Sequence, residues 1–121
     1  MPRQILISVV DDDESVRESL PDLLRACGYT AQAFSSAEEF LASKDLAQTG
    51  CLVLDVQMPG MSGPELKREL KRRGDTIPII FITAHAEAAR QPDVLDAAAC
   101  LIKPFNETTL LDALKKALPE G

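Results

Sequence analysis

The stretch Ile5-Leu6-Ile7-Ser8-Val9-Val10-Asp11-Asp12-Asp13 decides how this chain reads. A short run rich in β-branched residues reads as a strand, and here it stops against three consecutive carboxylates. Three later runs repeat the arrangement. Leu52-Val53-Leu54 ends at Asp55, Ile79-Ile80-Phe81-Ile82 at Thr83, and Leu101-Ile102 at Lys103.

Helical spacing fills the intervals. Residues 14–27 place Val16, Leu20, Leu23, Leu24 and Cys27 on one face, and Gly28 follows where a helix end favours glycine. Pro21 falls off that stripe and is expected to kink the helix or leave the Arg17 carbonyl to water. Residues 30–34 read as a second strand. Ser36-Ala37-Glu38-Glu39 reads as a capping box opening a helix through about Ala47. Residues 51–55 form a buried strand, Pro59 and Gly60 mark a turn, and a helix over 63–73 has Pro64 in its first turn and Gly74 at its end. Residues 77–83 form the fourth strand. A helix over 84–99 is interrupted by Pro92, and residues 100–103 form the fifth strand. Asn106 caps a last helix that turns Leu110, Leu111, Leu114 and Leu118 inward. Five such βα units in series imply an α/β fold, a doubly wound parallel sheet with helices on both faces and the first strand central. The carboxyl ends of parallel strands open on one edge, where ligands bind. The acids, Thr83 and Lys103 are therefore expected in one pocket, suited to a divalent cation and a phosphoryl group.

The 121 residues match one domain, 1–121, with no linker or repeat. No window has the ~20 apolar residues of a membrane span. The opening run is too short for a signal peptide, which predicts a cytoplasmic protein without a membrane partner. A net charge of −6 argues against direct nucleic-acid binding by this domain. The basic run Lys67, Arg68, Lys71, Arg72 and Arg73 reads first as a solvated helix end, second as a docking face for an acidic partner. Cys27, Cys51 and Cys100 lack metal or disulfide spacing and are expected to pack as small hydrophobes.

Adjacent Asp11 and Asp12 repel one another unless a cation compensates them, and Mg²⁺ suits one or two carboxylates plus a phosphate. Asp13 and Glu14 read instead as the acidic first turn of the next helix. Asp55 lies too far ahead of its helix to cap it, and a carboxylate can attack phosphorus to give an aspartyl phosphate. Thr83 also fits a strand end on propensity alone. Lys103 is a point-charge partner for phosphate. The Lys103–Pro104 bond is open to either isomer, trans being commoner.

These pieces, Val9-Val10-Asp11-Asp12-Asp13, the segment from Leu54 through Met58-Pro59-Gly60 to Gly63, Ile82-Thr83-Ala84 and Lys103-Pro104-Phe105, resemble the receiver domain of two-component response regulators, the CheY-like family. The resemblance covers essentially the whole chain. It implies the flavodoxin-like strand order 2-1-3-4-5 and a signalling domain rather than an enzyme with a separate substrate. Asp55 would accept a phosphoryl group from a sensor histidine kinase or a phosphotransfer protein. Asp11 and Asp12 would form the acid pocket. Asp12, Asp55 and the Gln57 backbone carbonyl would ligate Mg²⁺, with Mn²⁺ as a substitute. Thr83 and Lys103 would meet the phosphoryl oxygens, and Lys103–Pro104 would be cis. An output surface, a C-terminal output domain or a homodimer formed on phosphorylation would carry the signal.

Three departures from that family stand out. Cys100 occupies the place of an aromatic switch residue, the stretch from Thr83 to Lys103 is short and contains Pro92, and Asp96 replaces a glycine. They predict a short or irregular fourth helix and no aromatic swing. His85 and Gln57 are candidates for influencing dephosphorylation, with an exposed loop histidine as the plainer reading of His85. The competing class, an aspartate-nucleophile phosphatase or phosphotransferase, usually has a second Asp two residues after the nucleophile, which Asp55-Val56-Gln57 lacks. A flavin carrier on the same fold is disfavoured by the acidic edge.

Overall fold

The computed structural model describes residues 5–118, so both extremities of the expected 1–121 domain lie outside the described residues. The strands are β1 (Leu6–Val10), β2 (Thr30–Phe34), β3 (Thr49–Asp55), β4 (Ile79–Thr83) and β5 (Ala99–Ile102). The helices are α1 (Glu14–Ala26), α2 (Ala37–Ala42), α3 (Gly63–Arg72), α4 (Pro92–Leu95) and α5 (Glu107–Ala117). The five strands form one sheet in the order β2-β1-β3-β4-β5, every neighbouring pair parallel, as expected of a CheY-like fold.

Side chains alternate across each strand and so feed two cores. On one face Leu20 and Leu24 of α1 and Leu110 and Leu114 of α5 cover Ile7, Val9, Val53, Ile80 and Ile82. On the other, Phe40, Leu66, Leu70 and Val94 from α2, α3 and α4 cover Val10, Leu52, Leu54 and Phe81. Phe34 and Phe40 meet edge to face, ring centroids 5.4 Å apart. Each fully buried Leu or Phe contributes roughly 1.5–3 kcal/mol relative to exposure. The buried hydroxyls of this core are satisfied: Ser8 Oγ lies 2.7 Å from Thr49 Oγ1, and Thr49 donates to the Asp45 carbonyl.

Several local expectations are corrected. Pro21 is buried with Leu20 and Leu24 rather than lying off the packed face. α2 ends at Ala42, well before Ala47, because Ser43 accepts the Asp45 N–H and opens a 3₁₀ turn over Lys44–Gln48. Such local bonds compete with helix continuation. The capping box at Ser36 is half formed: Ser36 accepts the Glu39 N–H, but the Glu39 carboxylate accepts from Ser35. The full box sits instead at Ser62 and Glu65, opening α3. In place of one helix over 84–99 there is a 3₁₀ turn, Ala86–Arg90, followed by the four-residue α4. Pro92 opens α4 in its first turn, where a missing N–H costs nothing. The expected short, irregular fourth helix is thus present.

Candidate functional site

The sheet order puts the carboxyl ends of β1 and β3 side by side, with β4 and β5 beyond. Register then fixes what meets. Val10 pairs with Leu54, so Asp11 and Asp55 both emerge at the same edge. Asp55 pairs with Ile82, one residue before Thr83, and Thr83 pairs with Ile102, one residue before Lys103.

Asp11 is fully buried and Asp55 is 6% exposed, while Asp12 stands in solvent at the rim. One carboxylate oxygen from each lies within 4.8 Å of the other two. Lys103 Nζ stands 2.9 Å from Asp11 Oδ2 and 3.9 Å from Asp55 Oδ2. The Lys103–Asp11 contact is an ion pair, and Asp11 Oδ2 is buried with no hydrogen-bond partner among the described residues. Burial, and then the charge of Asp11, push the Asp55 carboxyl up to about 7 against the pull of Lys103. Burial depresses the Lys103 ammonium, but its contact with Asp11 and the charges of Asp11 and Asp55 outweigh this and raise it. Lys103–Pro104 is cis, the isomer the resemblance implied.

Thr83 is buried, and its hydroxyl is engaged locally: it accepts the His85 N–H at 3.1 Å and donates to the His85 carbonyl at 3.4 Å. Gln57 is exposed just past β3 and donates its N–H to Asp55 Oδ1 at 3.4 Å. Asp13 is the N-cap of α1, and its bonds from the Ser15 hydroxyl and N–H hold its carboxyl below the ordinary range. It therefore serves the helix, as the sequence suggested.

Three residues that shape this edge were not singled out from sequence as parts of the site. Arg17 donates to the Asp11 carbonyl at 3.0 Å. Glu38 accepts the Met61 N–H at 3.1 Å and so ties the loop after Asp55 to α2. A Cβ on Gly63 would overlap the Asp55 carbonyl oxygen and crowd Phe81, so only glycine lets α3 start this close to the strand. Gly63 stands out in sequence as a helix start and a motif residue but not as a close approach to Asp55, and nothing in spacing marks Glu38 as a loop anchor.

The donor set suits a small hard cation. Mg²⁺ takes carboxylate oxygens and keeps several waters. Here three carboxylates converge, two of them share one lysine, one of their oxygens is buried without a hydrogen-bond partner, and one carboxylate faces water.

A five-stranded parallel sheet with acids, a buried threonine and a lysine gathered at its carboxyl edge defines a CheY-like α/β domain with an acidic site. Within that class the chain belongs to the response regulator receiver domain family, whose model matches residues 7–115. The chain is 42% identical over 118 residues to the response regulator protein TodT of Pseudomonas putida, covering 96% of this chain and 52% of that one. It is 39% identical over 120 residues to the transcriptional regulatory protein FixJ of Azorhizobium caulinodans, covering 98% of this chain and 57% of that one. Among solved structures it is similar to the response regulator TrrA of Thermotoga maritima, in complex with Mg²⁺ and BeF. That likeness has a TM-score of 0.86 and 30% identity, and covers 95% of this chain and all of that one. The chain spans about half the length of the curated relatives it matches. It is a receiver domain of two-component signalling, and among the described residues no helix is long and apolar enough to cross a membrane.

Proposed function

We propose that this receiver domain accepts a phosphoryl group on Asp55 from the phosphohistidine of a sensor histidine kinase or phosphotransfer protein, and so switches an output surface. A carboxylate oxygen of Asp55 forms the new bond to phosphorus. The bond from phosphorus to the histidine nitrogen breaks, and its electron pair stays on the imidazole, which takes up a proton. The observation that carries this reading is the Asp55 carboxylate itself. It is almost buried, lies 3.9 Å from Lys103, and is grouped with Asp11 and Asp12.

Each residue has a task. Asp12, Asp55 and the Gln57 backbone carbonyl would hold Mg²⁺, with Asp11 completing the acid pocket. A divalent cation there neutralises charge on the transferring phosphoryl oxygens. Lys103 pairs with the phosphoryl group on the opposite side, exchanging its contact with Asp11 for one with the incoming charge. The Thr83 hydroxyl leaves His85 to donate to a phosphoryl oxygen. A groove of about 540 Å³ beside Lys103, lined in part by Val16, Leu20, Leu23 and Phe105, leaves a protein donor room to approach. Two-component partners of this kind place the domain in the cytoplasm, with the output in a further domain or a separate protein.

Intact mass tests this directly. Incubation with Mg²⁺ and acetyl phosphate should add one labile phosphoryl group, absent in Asp55→Asn and absent after chelation. No adduct in the native chain, or steady turnover of phosphomonoesters, would overturn the reading.

A further inference from the structure

The basic run on α3 does not only face solvent. Lys67 Nζ donates to the Asp93 carbonyl at 2.6 Å and to Asp96 Oδ2 at 3.3 Å, and its side chain is only 18% exposed. Arg68 Nε donates to Asp93 Oδ2 at 2.9 Å. A four-residue helix leaves most of its carbonyls without intrahelical partners. α4 is such a helix, and Lys67 supplies one of the missing donors. Asp96, where the family usually has glycine, is a second anchor for the same ammonium.

This contact joins two segments that each follow a residue of the site. α3 follows the loop after Asp55, and the 3₁₀ turn with α4 follows Thr83. The Thr83 hydroxyl is held by both backbone groups of His85, the residue that opens that turn. The hydroxyl reaches a phosphoryl oxygen only by giving up both bonds to His85, and a shift of the segment behind His85 would release them together. An open groove of about 410 Å³, lined by Gln57, Met58, Ser62, Glu65, Arg68 and Gln91, gives the segment space to move.

We infer that Lys67 and Arg68 are positioning residues for the reaction at Asp55: they latch the segment after Thr83 to α3 and hold its hydroxyl on His85. The inference rests on the Asp55 reading. Transfer to Asp55 then works against the latch, and by linkage the latch opposes the phosphorylated state to the same extent. Of the four side chains only Lys67 is well covered, and two such largely exposed pairs together correspond to roughly a threefold to fivefold effect.

The test uses the whole chain, with Lys67→Met combined with Arg68→Gln. Hydrogen exchange of the unphosphorylated protein should show faster exchange of the amides at 94–97, and Lys71→Met on the same helix should show no change. At a fixed, subsaturating acetyl phosphate concentration the double variant should carry about threefold to fivefold more adduct relative to free protein. Reversing the pair, Arg68→Asp with Asp93→Arg, should return the adduct level toward that of the native chain. Faster exchange with an unchanged adduct level would overturn the inference, since a merely structural contact behaves so. Unchanged exchange would overturn it too. No adduct in the native chain would refute the Asp55 reading and the latch's coupling with it, an outcome distinct from equal adduct in both proteins.

Discussion

Asp11 hydrogen-bonds through three of its polar groups and meets Lys103 with the fourth as an ion pair only. Its N–H donates to the Phe34 carbonyl, its own carbonyl accepts from Arg17, Oδ1 accepts the Asp13 N–H, and Oδ2 faces Lys103. It is thereby fixed beside Asp55, and the two buried carboxylates share one lysine. Like charges so placed destabilise the cation-free fold. Asp55→Asn should therefore stabilise the chelated protein, by on the order of 1 kcal/mol once the lost Lys103 attraction is set against the relieved repulsion. The same variant should lose most of the rise in melting temperature that Mg²⁺ gives the native chain. Thermal melts with EDTA and with Mg²⁺ check both, and an Asp55→Asn chain less stable than native under EDTA would contradict the electrostatic account. Gly63 gives a second prediction. Gly63→Ala forces a methyl onto the Asp55 carbonyl and Phe81, and overpacking of this kind costs about 1–3 kcal/mol, readable in urea unfolding. At this scale the sequence exposed the carboxylates, Thr83 and Lys103, because reactive residues at strand ends stand out. It hid Arg17, Glu38 and Gly63, whose roles exist only once α1, α2 and the loop after Asp55 fold back on the strand ends.

At the scale of elements, strands and long helices were legible and short helices were not. The second strand and the start of α1 fell where the pattern put them. α3 closed within a residue, and Gly28 and Gly74 take φ of +96° and +85° after their helices. Periodicity read α2 and the 84–99 stretch too long because it registers apolar spacing and not competing local bonds. Ser43 ends α2 by capping the next turn, and Pro92 begins a helix instead of breaking one. Pro21 escaped the apolar count because proline is not scored as core, yet it is buried on α1. Caps carry their own prediction. Ser62→Ala removes the acceptor for the Glu65 N–H at the start of α3 and should cost about 0.5–2 kcal/mol in chemical denaturation, a loss typical of capping residues. His85, exposed and opening the 3₁₀ turn after Thr83, belongs to this scale as well. His85→Ala should alter the lifetime of the phosphoryl adduct, followed by mass after donor removal, and an unchanged lifetime would remove it from the account.

For the whole molecule, the alternating strands and helices determined the fold class from sequence, and parallel pairing turned four separate strand ends into one edge. The same topology divides the output. Cys100 is half-buried against the α2, α3 and α4 core, with no aromatic ring at that position to swing. A signal that leaves the site without an aromatic swing would pass through segments such as the one following Thr83. The basic run, read first as a solvated face, is partly an internal tie between α3 and α4. That was invisible in sequence because its acidic partners, Asp93 and Asp96, lie more than twenty residues away.

The central claim is that Asp55, and not its acidic neighbours, carries the phosphoryl group. Borohydride reduction of the acetyl-phosphate-treated, Mg²⁺-loaded chain, followed by peptide mapping, reads the site of the acyl phosphate directly. The account predicts that the reduced residue maps to position 55 alone. Reduction at Asp11, Asp12 or Asp13, or none in a chain that has gained the phosphoryl mass, would contradict it.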